Sequence, residues 1–289
     1  MLNTIALSKN YISNLDEVYR MASVSADLTS NPTMSRAGAN ANEIIYPQIS
    51  VSGLGEYDRN TGYTTGAVDL KWKTSTFNYD RGTKIQVDVM DNEESRNLAF
   101  GMAGATLMRE KVAPEADAFT FATLAAMENI SKATGEIADA TQFLDALLTA
   151  WSKMDEDEVP QENRLLYATA TLLNSVMALD TTKSREILSK FSIKKAVPQA
   201  RFYTAIDLLD GKTEGEEAGH YQKAGNASDI SFMIVHKPAI IKFDKHVASN
   251  IILAAANPDA DADIVKYRKY GIVDAYQNKR AGIYVHSKA

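Results

Sequence analysis

Residues 80–119 read DRGTKIQVDVMDNEESRNLAFGMAGATLMREKVAPEADAF. A strict alternation opens the stretch, with Ile85, Val87 and Val89 set against Lys84, Gln86 and Asp88. That is the period of a half-buried strand. The period then changes: Leu98, Met102, Ala105, Met108 and Val112 recur at helical spacing. Asp91 or Asn92 is placed to cap this helix, and Glu93 and Glu94 fall in a first turn, where the helix dipole favours acids. Pro114 interrupts the pattern, Glu115 and Asp117 read as a fresh acidic first turn, and Phe119, Phe121, Leu124 and Met127 continue it. The spacing predicts a strand running into one long, kinked helix, or two abutting helices, over 92–130. Asp80-Arg81-Gly82 is expected to be the turn before the strand.

Working outward toward the N-terminus, Val68, Leu70 and Trp72 alternate with Asp69, Lys71 and Lys73. That strand has one apolar and one wet face. Gly53, Gly55, Gly62 and Gly66 punctuate the residues before it, and Asn60-Thr61-Gly62 is a turn signal. The segment is long, polar and glycine-rich for a core hairpin. It reads as a projecting two-stranded loop whose apolar face something else must cover. An isolated hairpin is marginal in water, so a partner subunit is the natural cover.

Residues 1–47 read as an arm. Leu15, Val18, Tyr19 and Ala22 have the spacing of a short amphipathic helix. The Ser/Asn/Ala-rich stretch from Ser23 to Asn42 is expected to be extended and to bury little, so that removing residues 1–40 would spare the folded core. Lys9, Arg20 and Arg36 are balanced by Asp16, Glu17, Asp27 and Glu43, which excludes a basic nucleic-acid-binding arm.

Toward the C-terminus, Phe143, Leu144, Leu147, Leu148 and Trp151 mark an amphipathic helix over 139–155, ended by the acidic run Asp155 to Glu158 and Pro160. A strand is expected over 165–170, helices over 171–179 and 184–191, a bend at Ala196-Val197-Pro198 and a polar loop over 210–228. Strands follow over 231–235, 240–243, 267–276 and 283–286. Strands, long helix, mixed elements, then strands again is the order of an α+β fold, not of an alternating doubly wound sheet.

The chain has 289 residues, 45% hydrophobic and 24% charged, which is ordinary globular composition for one large or two modest domains. Its net charge of −6 makes it a poor non-specific binder of nucleic acid. It contains no cysteine, which removes disulfide scaffolds, thiolate catalysis, zinc ribbons and iron–sulfur clusters, and fits a reducing compartment. The N-terminus lacks the pattern of a signal peptide, and the longest aliphatic run, Ile251 to Ala256, is far short of the ~20 residues of a membrane span.

No catalytic, cofactor or metal motif stands out. Asp210-Gly211-Lys212-Thr213 mimics the end of a phosphate-binding loop, but Ile206 occupies the position where that loop needs its first glycine, and Glu214, Glu216 and Glu217 follow. His220, His236, His246 and His286 show no metal-ligand spacing, although His236 and His246 flank an expected hairpin. The acidic run 155–158 lacks the calcium-loop pattern, and there is neither a nucleophile elbow nor a dinucleotide-binding loop. Trp72, Phe77 and Tyr79 beside Lys71 and Lys73 are read as a hairpin face rather than a base-stacking platform.

Several short motifs, in order, resemble the major capsid proteins of tailed bacteriophages with the Hong Kong 97 capsid fold, especially those of Gram-positive hosts. Pro47-Gln-Ile-Ser50, Gly53-Leu-Gly-Glu-Tyr-Asp-Arg59 and Gly62-Tyr63 resemble the start of that family's extended loop. Asp80-Arg81-Gly82, Val87-Asp-Val-Met-Asp91 and Glu94-Ser95 resemble the approach to its spine helix, with Ser95 where the family often has Thr. Residues 109–119 resemble the spine itself, and Val197-Pro198 with Arg201-Phe202 a central-domain strand. Residues 231–237, Asp261-Ala-Asp263, Tyr270, Asp274-Ala275, Asn278-Lys279 and Gly282-Ile-Tyr284 resemble its C-terminal peripheral strands. The likeness runs from about residue 47 to the end.

The resemblance implies an N-terminal arm (1–47), an extended loop with a peripheral-domain strand (48–91), a spine helix and peripheral domain (92–138), an axial domain (139–230), and peripheral strands with return segments to the axial domain (231–289). It implies a structural, non-enzymatic protein without cofactor or metal, assembling with itself into pentamers and hexamers of an icosahedral shell. Portal and scaffold proteins are implied partners, the latter separate or absent. Double-stranded DNA would be contacted weakly and non-specifically, no membrane is involved, and the virion capsid would be assembled in the host bacterial cytoplasm. Glu56, Tyr57, Arg59, Lys71, Trp72, Lys73, Asp80 and Arg81 are the expected inter-subunit contacts. Some relatives join a loop Lys to a neighbour's Asn, and Lys71 and Lys73 lie in that region. An encapsulin-like nanocompartment is the alternative within the fold; a soluble hydrolase or nucleotide-binding enzyme is the alternative outside it.

Overall fold

The computed structural model describes residues 23–30, 36–37, 42–94, 103–104, 106–179 and 181–289. In chain order its elements are β1 (Arg36–Ala37), β2 (Glu43–Val51), β3 (Val68–Thr76), β4 (Tyr79–Asp88), α1 (Val89–Glu94), a π-helical stretch (Leu107–Val112), α2 (Ala113–Ala126), β5 (Ser131–Thr134), α3 (Ala140–Glu156), β6 (Arg164–Thr169), α4 (Ala170–Leu179), α5 (Thr182–Ser189) and β7 (Ile193–Val197). There follow β8 (Ile206–Leu208), β9 (Tyr221–Lys223), β10 (Ile230–His236), β11 (Ile240–Ile252), β12 (Ala262–Ala275) and β13 (Ile283–Ser287).

A five-stranded sheet of order β5-β13-β10-β6-β7 is the centre of the molecule. Its middle strand, Ile-Ser-Phe-Met-Ile-Val-His, is buried along its whole length, as expected for a strand covered on both faces. Alternate residues serve two cores. Met233, Val235, Leu165 and Tyr167 pack with Phe121 and Leu124 of α2. Phe232, Ile234, Leu166 and Ala168 pack with Phe143, Leu147 and Trp151 of α3. Asp139 caps α3 by accepting from the Gln142 N–H at 2.8 Å. The pairs β6–β7 and β13–β5 are parallel while β10 runs antiparallel to both its neighbours, so the α+β architecture stands.

A three-stranded sheet of order β11-β12-β4 carries two strands longer than expected. β11 runs on past Phe243 to Ile252, and β12 begins at Ala262, not at Tyr267. Lys245, His246 and Asn250 hide the alternation in β11, because both faces of that part are exposed. A third, small sheet, β1-β2-β3, projects from the molecule, and its base packs Ile44 and Tyr46 on Ile241 and Ile272.

Three local expectations are corrected. Asp80-Arg81-Gly82 is not a turn but lies inside β4, the turn being Phe77-Asn78. Gly82 marks close backbone approach, since a Cβ there would lie 2.8 Å from the Tyr267 carbonyl. The helix after β4 starts at Val89, ahead of the expected caps, with Asp88 accepting from the Met90 N–H at 2.9 Å. Ser23 to Leu28 are not an extended, unburied stretch: Ser25–Leu28 form a 3-10 turn, and Val24 and Leu28 enter the core beside Phe121. The helical break near Pro114 is present as the junction of the π-helical stretch with α2. The expected helix at 15–22 and the contacts of Leu98, Met102 and Ala105 lie outside the described residues.

Candidate assembly surface and its buried anchors

The register of β2 on β3 sorts the hairpin into two faces. Pro47, Ile49 and Val51 lie opposite Trp72, Leu70 and Val68, while Tyr46, Gln48 and Ser50 lie opposite Lys73, Lys71 and Asp69. The first face is continuous apolar surface, and among the described residues Ile49 is 62%, Leu70 50% and Val68 71% exposed. A contiguous uncovered apolar face marks an interaction surface. The second face turns inward at the base, where Tyr46 meets Tyr276 edge-on at 4.9 Å.

Six of the eight sequence-predicted contact residues sit on this projection. Lys71, Trp72 and Lys73 are on β3; Glu56, Tyr57 and Arg59 are exposed on the loop beyond it. Tyr57 packs on Tyr63 at 4.8 Å, and Asp58 accepts from the N–H groups of Asn60 and Thr61, shaping a turn completed by Gly62 at φ +80°. Lys71 pairs with Asp69 on the open surface, which contributes little stability.

The other two, Asp80 and Arg81, lie at the base on β4. Asp80 is forked by Arg268 of β12 at 2.9 and 2.7 Å. Arg81 donates to both oxygens of Glu115 on α2, at 2.7 and 3.3 Å, and to the carbonyls of Leu209 and His220 at 2.7 and 3.2 Å. One guanidinium thus ties the strand below the hairpin to α2 and to both ends of the 209–220 loop. Tyr79 adds a hydrogen bond to Glu115 at 3.2 Å, and His220 Nδ1 stands 3.5 Å from the same carboxylate, an ion-pair distance. Burial pushes the Glu115 carboxyl up, but His220, Arg81 and Tyr79 together outweigh it and hold it below its ordinary value. Burial and the neighbouring Glu115 charge push the Tyr79 phenol far up.

A second anchor holds the start of the described chain. Asp117, fully buried on α2, accepts from Ser23 Oγ at 2.6 Å, Val24 N at 2.9 Å, and the N–H and hydroxyl of Ser25 at 3.0 and 2.6 Å. Arg201 Nη1 supplies the counter-charge at 3.0 Å. Lys242 of β11 donates to the Ser25 carbonyl and hydroxyl at 2.8 and 2.6 Å, and Ser30 pairs with the Lys242 backbone. Asp27 pairs with Lys195 of β7. Desolvation lowers the Lys242 ammonium to about 8. Glu115 and Asp117 had the sequence signature of helix-start acids and instead face the core. The only hint was their setting among Ala116, Ala118 and Phe119, apolar on every side. Nothing local marks Arg201 or Lys242, since their partners lie far along the chain.

The chemical candidates fold into structural roles. The Asp210 carboxylate accepts from the Lys212 and Thr213 N–H groups and the Thr213 hydroxyl at 2.7–2.8 Å. Those amides are aimed at their own loop's carboxylate rather than outward at a phosphate, and they hold Asp210 down to about 2. Among the described residues no group of three His, Cys, Asp or Glu side chains is arranged to hold a metal ion. His236 is buried on β10, where burial lowers its pKa, while His246 is exposed on β11.

The same architecture occurs in solved phage capsids. The capsid structure of the cyanophage P-SCSP1u superposes with a TM-score of 0.62 at 13% identity, covering 94% of this chain and 89% of that one. The asymmetric unit of the bacteriophage PhiM1 mature capsid does so at 0.62 and 12%, covering 94% and 88%. A virus-like particle from Pyrococcus furiosus superposes at 0.57 and 10%, covering 98% and 100%. No family model and no curated protein matches the sequence. At such identities the likeness is one of fold: this chain has the phage capsid fold, as the sequence resemblance implied.

Proposed function

We propose that this protein is the structural major capsid protein of a tailed bacteriophage, building pentamers and hexamers of an icosahedral shell around double-stranded DNA. The observation that carries the reading is the apolar face of the β2–β3 hairpin, exposed among the described residues, on a capsid-fold chain. A face of Ile49, Val51, Val68 and Leu70 left in water is unfavourable, and burying it on neighbouring copies supplies the drive for assembly. The described helices include none long and apolar enough to cross a membrane.

In this reading residues 1–47 are the arm, 48–91 the extended loop and its strand, 92–138 the spine, 139–230 the axial domain and 231–289 the peripheral strands with their returns. The eight residues from Glu56 to Arg81 contact or brace neighbours. Portal and scaffold proteins are partners, assembly takes place in the host bacterial cytoplasm, and no enzymatic step is needed. The net charge of −6 supports a lining that lets DNA be packed and released.

Electron microscopy of the purified protein, alone and co-expressed with a scaffold protein, tests this. Capsomers or closed shells are expected; a persistent monomer under both conditions overturns it. DNA in native particles is expected, whereas particles filled with protein cargo would establish the nanocompartment reading.

A further inference from the structure

A cleft of about 360 Å³ lies along the open edge of β4, between that strand, the π-helical stretch before α2 and the 209–220 loop. Its wall is basic: Lys84 comes from β4, Lys111 from the π-helical stretch and Lys212 from the loop, beside Arg81. Three acids share the wall with Arg81 and the three lysines, leaving it a formal excess of one positive charge. Glu115 holds Arg81, Asp210 closes its own turn, and Glu217 accepts from the Gly215 N–H at 2.9 Å. Lys84, Lys111 and Lys212 are exposed and, among the described residues, have no ion-pair partner. Lys84 also lies directly across from Lys266 of β12, a like-charge pair that is unfavourable unless an anion comes near.

The far end of the same sheet is acidic. Past the last residue of β4, α1 carries Asp91, Glu93 and Glu94, and the Val89 N–H at its start donates at 3.1 Å to the carbonyl of Asp261, which with Asp259 lies in the β11–β12 turn. All five side chains are exposed and, among the described residues, unpaired. Both charge patches are carried by one stiff strand, with Lys84 and Asp88 four residues, about 14 Å, apart. A single copy therefore cannot bring its own acidic end round into its own cleft.

We propose that the cleft beside β4 receives the acidic end of this sheet, residues Asp259 and Asp261 foremost, from a second copy of the chain. The contact is head-to-tail, of the kind that repeats from copy to copy and closes into rings. Charge complementarity sets its register and its salt sensitivity. The inference rests on the capsid reading and specifies one contact within it.

The test uses the full chain, with particle formation followed by light scattering and electron microscopy and folding by thermal melting. Lys84→Glu with Lys111→Glu and Lys212→Glu, and separately Asp259→Lys with Asp261→Lys, are expected to melt like the parent and to lower particle yield at least tenfold. All five changes in one chain are expected to restore it. Because the parent lacks cysteine, a Lys84→Cys chain mixed with an Asp261→Cys chain gives a second readout: an intermolecular disulfide under mild oxidation. Parent-like assembly of both charge-reversed variants, or failure of the combined variant to recover while still folded, overturns the contact and leaves the capsid reading standing. Particles that form normally from the lysine-reversed chain but hold less DNA also overturn it, and assign the cleft to phosphate. A parent that never assembles defeats the capsid reading itself, and this contact with it.

Discussion

The backbone N–H and hydroxyl of Ser25 both close on the carboxylate of Asp117, at 3.0 and 2.6 Å, across 92 positions of sequence. With Val24 and Leu28 in the core and Lys242 gripping Ser25 from the other side, the residues just after position 22 are part of the folded body. The expectation that residues 1–40 are dispensable for folding is therefore replaced by a boundary. Deletion of residues 1–22 leaves every one of these contacts in place and should leave the denaturation midpoint near that of the full chain. Deletion of residues 1–30 should lower it sharply. Asp117→Ala removes the carboxylate that Ser23, Val24, Ser25 and Arg201 all share and should lower stability by about 3–5 kcal/mol in a urea titration.

Ile49 and Leu70 face each other across the hairpin, exposed in the single chain. Ile49→Asp or Leu70→Asp should change unfolding free energy by no more than about 0.5 kcal/mol. The same changes should abolish particle formation seen by light scattering. Loss of folding in step with loss of assembly would mean that this face is covered within one chain.

Arg81→Ala removes four hydrogen bonds that join β4 to Glu115, Leu209 and His220. A cost of about 3 kcal/mol is expected, because the Glu115 carboxylate remains buried. Hydrogen exchange should show the 209–220 loop opening first. Glu115 is held below its ordinary value of 4.5 in the fold, so its contribution is full above that value and is lost as pH falls through the lower folded value. Glu115→Gln should flatten that acid limb of the stability curve.

Lys242 has a pH signature of the same sign, displaced to the alkaline range. Its ammonium titrates at about 8 in the fold against 10.5 when exposed, so between those values the unfolded chain holds the extra proton. Stability therefore rises with pH from about 8 to 10.5, by on the order of 3 kcal/mol. The neutral amine still donates to Ser25. Lys242→Met should erase that rise, measured as the difference between the two proteins' unfolding free energies across the window.

Periodicity by itself determined the elements whose burial is local: the strand entering β4, the break at Pro114, the helix from Ala140 and the strands around β10. In β4 and in the helix from Ala140 apolar residues repeat at 2 or 3.6 because one face is covered, whereas β10 is an apolar run because both faces are; either pattern is written in consecutive residues. The projecting hairpin was legible for the same reason, as an alternation with nothing nearby in sequence to cover it. The order of short motifs carried the capsid resemblance.

Tertiary structure alone decided the polar architecture. Ser25 with Asp117, Arg81 with Glu115 and Lys242 with Ser25 join residues between 34 and 217 positions apart. A buried carboxylate and a solvated one have the same local sequence; only the packed chain shows which donors converge on it. The extent of β11 was hidden likewise, since an edge strand exposed on both faces needs no apolar repeat and owes its form to the hydrogen bonds of β12. The basic cleft and the acidic end of the sheet are also tertiary. Lys84, Lys111 and Lys212, or Val89 and Asp261, become neighbours only when strand, helix and loop are laid side by side.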